Sequence, residues 1–132
     1  MELRSQTDVS DELAAQDAQA IMNYLCERGV LAGPATALPA ALCEPTPLSA
    51  TDDMHAPHPG VVVFHRHPGD VVKAGEVLAH IVDPVNRRRT PITTRTDGVI
   101  YARHNLRWAT TGMEVCRVAG TTPIRSGNLL SP

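Results

Sequence analysis

His65 and His67 stand one residue apart in "VVVFHRHPGD", and alternate side chains of one extended strand share a face. Two imidazoles so placed can begin a transition-metal site. A structural zinc site needs four ligands, however, and a catalytic one needs three plus water. His55 and His58 form an H-x-x-H, but Pro57 and Pro59 exclude the helix that would bring such a pair together. His80 and His104 are isolated in the sequence. The histidines are therefore expected to hold no functional metal, with His65 and His67 on the solvent side of a strand, alternating with Phe64 and Arg66.

Other chemistry is sparse. There is no G-x-S-x-G elbow for a serine nucleophile and no Gly-rich phosphate loop ending in Lys-Ser/Thr. Cys26, Cys43 and Cys116 are an odd, widely spaced set, which favours free thiols in a reducing compartment over disulfides or a zinc ribbon. A basic run, "NRRRT" from Asn86 to Thr90, is followed by Arg95, Arg103 and Arg107. It reads either as a solvated hairpin or as an edge that meets an acidic partner or a substrate entrance.

The elements that must position these residues are built from few aromatics. Of 132 residues 42% are hydrophobic but only 3% aromatic, so the core must be Val, Leu, Ile and Ala. A formal net charge of −2 opposes non-specific nucleic-acid binding, which needs a basic excess. No apolar run approaches the roughly 18 residues that span a bilayer, and "MELRSQTDVSDE" lacks the layout of a signal peptide. A cytoplasmic protein with no nucleic-acid or membrane partner is expected.

Residues 1–30 hold a strand end and a helix, "SDELAAQDAQAIMNYLCERG". Ser10 is a good N-cap, Asp11 and Glu12 suit the helix dipole, Arg28 lies in the last turn, and Gly29 can end the helix in the left-handed conformation. Ala14, Ala18, Ile21 and Leu25 trace an apolar stripe with Met22 beside it, and self-association through it predicts a homo-oligomer. Residues 31–54 contain Pro34, Pro39, Pro45 and Pro47 and read as an extended strap anchored by Leu31, Leu38, Leu42 and Leu48. Residues 55–120 contain an internal repeat, and residues 121–132 read as a flexible tail. In the repeat, Gly60 matches Gly98, Gly75 matches Gly112, and Val77 and Ile81 match Val115 and Val118. The glycines are assigned to tight turns between short valine-rich strands. The fold class is thus mainly β, with two pseudo-symmetric halves preceded by one α-helix and a Pro-rich strap.

The paired pattern "APHPGVV…PGDVVKAGEVLAHI" and "TDGVIYAR…TTGMEVCRVA" resembles the biotinyl/lipoyl-like barrel-sandwich fold. Carriers of that fold modify a lysine on the hairpin between the halves, which here falls near "PVNRRRT" and has none. Lys73 lies in the other turn and reads as a solvated residue, so neither biotin nor lipoate is expected. From Glu2 to about Gly120 the chain resembles the C-terminal portion of succinylglutamate desuccinylase/aspartoacylase family zinc hydrolases, which are related to zinc carboxypeptidases. The segment order carries the resemblance: E-L-R at Glu2–Arg4, a helix ending in L-x-x-x-G, a Pro-rich strap, then "AP…G…GD.V..G".

The resemblance implies that Glu2 is the general acid/base, beside a metal-bound water, with Arg4 completing its motif. It further implies a zinc cofactor and a small N-acylated amino acid or similar amide as substrate. The family's zinc ligands, an H-x-x-E pair and a later histidine, precede the E-L-R strand, and only Met1 precedes Glu2 in this sequence. The chain is therefore expected to be the C-terminal part of such an enzyme, either cut down, truncated as a gene product or one part of a split enzyme, inactive alone, with the zinc-bearing domain as a partner of its helix. The rival expectation is a non-catalytic binding or adaptor module on the same barrel-sandwich.

Overall fold

A computed structural model describes residues 9–41 and 43–129, so Glu2, Arg4 and Leu42 lie outside the described residues. The chain divides into two compact units that meet at the Ala40–Ala41 junction. In the first, α1 spans Asp11–Glu27. The Ser10 hydroxyl accepts the Leu13 amide at 3.2 Å, and Gly29 closes the helix at φ 70°, as the cap residues predict. Arg28 is the C-cap rather than a member of the last turn. No α1 residue is fully buried: Ile21 and Leu25 are half-covered, while Ala14, Ala18 and Met22 are exposed. The chain after the helix is pinned back by Asn23, whose side-chain oxygen accepts the Thr36 amide at 3.1 Å.

The second unit has eight strands: β1 Thr51–His55, β2 Gly60–Phe64, β3 Val71–Val72, β4 Val77–Asp83, β5 Arg88–Thr93, β6 Gly98–Arg103, β7 Trp108–Ala109 and β8 Glu114–Gly120. They form two antiparallel four-stranded sheets, ordered β1-β8-β6-β3 and β5-β4-β2-β7, which do not close into one barrel. Replacing β5, β4, β2 and β7 by β1, β8, β6 and β3 converts the second order into the first. The internal repeat is thus an approximate two-fold relation between sheets. Its buried core is aliphatic, with Val62, Val72, Leu78, Ile81, Ile92, Ile100, Val115 and Val118 all nearly inaccessible.

Pairing corrects three details of the sequence reading. Val61 faces Val82 and Val99 faces Ala119, which makes Leu78, not Val77, the counterpart of Val115. Gly60 and Gly98 open strands instead of occupying turns. A Cβ on Gly60 would lie 2.5 Å from the Val82 carbonyl oxygen, and one on Gly98 would press still closer on that of Ala119. Glycine is required there by close backbone approach. The positive φ belongs to the second pair, Gly75 at 84° and Gly112 at 80°, whose amides donate to Thr94 and Ala56. Finally, β1 begins inside the stretch read as a strap. The tail is tied at its base, since the Ile124 and Arg125 amides donate to the Ser49 carbonyl.

Candidate functional site

The structure separates His65 from His67. Strand β2 ends at Phe64, and the His67 amide donates to Asp70 Oδ2 at 2.8 Å, within the turn toward β3. His65 instead meets His80. Its Nε2 lies 2.7 Å from His80 Nδ1, with the rings edge-on and their centroids 4.9 Å apart. The register explains this: Val63 faces His80, and His65, two residues further along, shares Val63's face and lies diagonal to His80. One ring must supply the proton and the other the lone pair. Arg89 Nη2 approaches the same His80 nitrogen at 3.4 Å. Desolvation first, then the charge of Arg89 and the presence of His65, holds His80 below its ordinary pKa. Among the described residues no three His, Cys, Asp or Glu side chains are grouped to hold a metal ion.

A separate group of cations gathers on Phe64, which packs against the core. The guanidinium carbons of Arg103 and Arg107 sit 4.9 and 5.6 Å from the centre of the Phe64 ring. Arg103 Nη1 donates to the Arg66 carbonyl at 3.2 Å, while the Arg66 guanidinium is neutralised by Glu76 at 2.6 Å. The loop between β6 and β7 is held at both ends. The His104 amide donates to the Val115 carbonyl at 2.8 Å, and the Arg107 carbonyl accepts the Val62 amide at 2.8 Å. Inside it, His104 Nδ1 accepts the Leu106 amide at 3.0 Å. Among the described residues neither Arg103 nor Arg107 has an ion-pair partner, and the same holds for Arg88 and Arg89.

The remaining charged groups are structural. Asp52 is 1% exposed and accepts from the Arg95 amide at 2.6 Å, the Arg95 guanidinium at 2.6 and 2.9 Å, and the Thr94 hydroxyl at 3.2 Å. Asp53 pairs with Arg117 at 3.4 Å and with Arg125. Lys73 is an exposed turn residue paired with Asp97 at 2.9 Å, a bond that raises the lysine pKa and helps lower that of the aspartate. His58 is buried between the Pro59 carbonyl, which accepts from Nδ1, and the Thr90 hydroxyl, both at 2.8 Å. Burial pushes the Cys116 thiol up to about 12, with Asp52 and Glu114 adding to the rise. A thiol so buried and so seldom ionised is a poor nucleophile.

The hairpin between β4 and β5 carries Pro84, Val85, Asn86 and Arg87 at its tip, with Asp83 accepting the Val85 and Asn86 amides at 2.9 and 3.1 Å. Sequence reasoning found this hairpin and the arginine run but missed the His65–His80 pair. The signal lay in the antiparallel register of β2 and β4, not in spacing along one strand.

No family model matches the chain, and no curated protein matches it. Solved structures do. A protein assigned to the succinylglutamate desuccinylase/aspartoacylase family from Shewanella frigidimarina NCIMB 400 aligns at 25% identity with a TM-score of 0.72, covering 96% of this chain and 35% of that one. A family protein from Shewanella amazonensis SB2B aligns at 25% identity with a TM-score of 0.70, covering 89% and 33%. The ectoine utilization protein EutE (DoeB) from Ruegeria pomeroyi, at 20% identity, shares the fold, with a TM-score of 0.69 over 87% and 36%. The chain spans about a third of the length of these structures. No described helix is long and apolar enough to cross a membrane.

Proposed function

We propose that this chain supplies the C-terminal part of a zinc-dependent amidohydrolase of the succinylglutamate desuccinylase/aspartoacylase type, acting on small N-acylated amino acids. The observation that carries the proposal is the alignment of 96% of the chain with one such family protein at 25% identity and a TM-score of 0.72. In this reading the β unit is a barrel-sandwich of the biotinyl/lipoyl type that carries no cofactor. Two features support that: a two-fold relation between sheets and a β4–β5 hairpin whose tip has no lysine.

The described residues do not fit zinc, since no three-ligand set is formed among them. The metal of such an enzyme therefore belongs to residues other than these. The role assigned to this chain is that of Glu2, whose carboxylate would take a proton from the attacking water and deliver it to the leaving nitrogen. The partly covered stripe of α1 would meet the zinc-bearing part or a second copy.

The test reads the DNA upstream of the Met1 codon for an in-frame H-x-x-E segment and assays the whole product on N-succinyl and N-acetyl amino acids. Amide hydrolysis that falls roughly 100-fold or more in Glu2→Gln, the usual scale of acid–base catalysis, is expected. Absence of hydrolysis, with no H-x-x-E segment in the same or the adjoining gene, overturns the reading and leaves the non-catalytic adaptor.

A further inference from the structure

We propose that Arg103 and Arg107, gathered about Phe64, form a binding site for a small oxyanion, a carboxylate or phosphate group. Each guanidinium lies within 6 Å of the centre of one ring, and attraction to the ring's negative face stabilises both cations without neutralising either charge. A protein ordinarily resolves such an arrangement with a carboxylate. The β unit does so for several cations, pairing Arg66 with Glu76, Arg95 with Asp52, and Arg117 and Arg125 with Asp53, while Arg88 and Arg89, which also lack an ion pair among the described residues, are not gathered on an aromatic ring. Arg103 and Arg107 are left without such an acid among the described residues, so their counter-charge is free to come from a ligand.

The position is built rather than incidental. Arg103 ends β6, where it pairs with Cys116, and its Nη1 is fixed on the Arg66 carbonyl at 3.2 Å. Arg107 is fixed through its own carbonyl on Val62, and the loop between the two arginines is braced by the His104–Leu106 bond. Phe64 packs against the hydrophobic core, so the platform beneath the cations is rigid. Cation–π contact with the ring leaves the planar edges of the guanidinium groups able to donate to oxygen pairs. Arginine binds carboxylate and phosphate in this two-pronged way, while chloride cannot reproduce it. Glu76, which neutralises the neighbouring Arg66, is engaged by that guanidinium and by the Lys73 amide.

Oxyanion binding at this position requires no hydrolase activity. Trp108, the one tryptophan of the chain, follows Arg107 directly and reports on the site by fluorescence. The full chain is titrated with inorganic phosphate and with succinate, each at ionic strength held constant with sodium chloride. Saturable quenching or enhancement by at least one of them is expected, and the tighter of the two identifies the class of oxyanion. Arg107→Gln is expected to weaken that affinity about tenfold or more, as loss of a charge-assisted bond does. Arg107 is the safer variant, because among the described residues its side chain forms no ion pair and meets the Phe64 ring, and an unchanged melting temperature confirms folding. Arg88→Gln, on the distant hairpin strand, is expected to leave the affinity unchanged. Linear, non-saturable responses to both anions, or saturation that Arg107→Gln does not alter, would overturn the site.

Discussion

At matching edges of their sheets, β1 pairs with β8 and β5 pairs with β4, so the two edge strands can be compared residue by residue. Met54 and Ile92 take equivalent core positions, and Asp52 stands where Thr90 stands. Each of these polar residues holds a neighbouring segment, but by different means. Thr90 meets the buried imidazole of His58 in one bond of 2.8 Å. Asp52 accepts four bonds from Thr94 and Arg95, including two from the guanidinium to Oδ1, although the Arg95 side chain is itself 63% exposed. The same scaffold position thus serves as a neutral clamp in one half and as a charged clamp in the other. The edges differ outside the clamp as well. Asp53 is locked by two arginines, whereas among the described residues the exposed Arg88 and Arg89 on β5 form no ion pair, Arg88 meeting Asp83 only through its longer-range charge. Strand β5 also carries Pro91, which cannot donate to a further strand and protects an otherwise open edge.

The largest effect should come from the charged clamp. Asp52→Ala leaves the Arg95 amide and the Thr94 hydroxyl without their acceptor, and should cost about 3 kcal/mol of unfolding free energy. Thr90→Val removes one neutral bond and should cost about 1 kcal/mol. Urea denaturation of both variants measures the difference. Equal losses would mean that the charge of Asp52 adds nothing to its clamp. Arg88→Gln, for contrast, should stay within about 0.5 kcal/mol of the parent, as exposed substitutions do.

How much of this was legible beforehand follows from range. The helix was readable because its signals are local: a capping serine, two acids after it, and a glycine to end it. The repeat was readable because Gly75 and Gly112 mark turns that need positive φ, and valine runs separate them. The first strand was not. "TDDMH" has no alternating apolar pattern, and its burial depends on Arg95, 43 residues away, neutralising Asp52. The His65–His80 pair was hidden for the same reason, since strand register decides which side chains meet. Glu2 is legible only through family resemblance, and it lies outside the described residues.

A middle-sized effect tests the symmetry itself. Gly60 and Gly98 both sit where a Cβ would strike the carbonyl of the neighbouring strand and a side chain beside it, Ile81 in one half and Val118 in the other. Gly60→Ala and Gly98→Ala should each cost about 1–3 kcal/mol, the scale of overpacking. Gly98→Ala should cost the more, because its approach to backbone is closer. Thermal unfolding of the two variants provides the check. A neutral Gly98→Ala beside a costly Gly60→Ala would show that the halves do not share their packing.

The smallest effect concerns the open side of the comparison, the face where His80 meets His65 and Arg89. His80 is held below the ordinary histidine value of 6.5 by desolvation, by Arg89 and by His65. The folded state therefore binds this proton less readily than the unfolded chain does, and the sign follows. Above pH 6.5 both states carry a neutral ring, and its contribution to stability is fully present. As pH falls through 6.5 and then through the lower folded value, the unfolded chain gains the proton first and that contribution is lost. Protonation of both rings would also set two N–H groups against each other across the 2.7 Å bond. Arg89→Gln removes one of the three causes, so the His80 titration should move up toward 6.5 while its acid limb of stability becomes shallower. His65→Asn should move it the same way. Proton NMR of the imidazole signals across pH 4–8 follows the shift directly. A His80 titration that stays in place in both variants would assign its depression to desolvation alone, and the pair would then be a contact without electrostatic consequence.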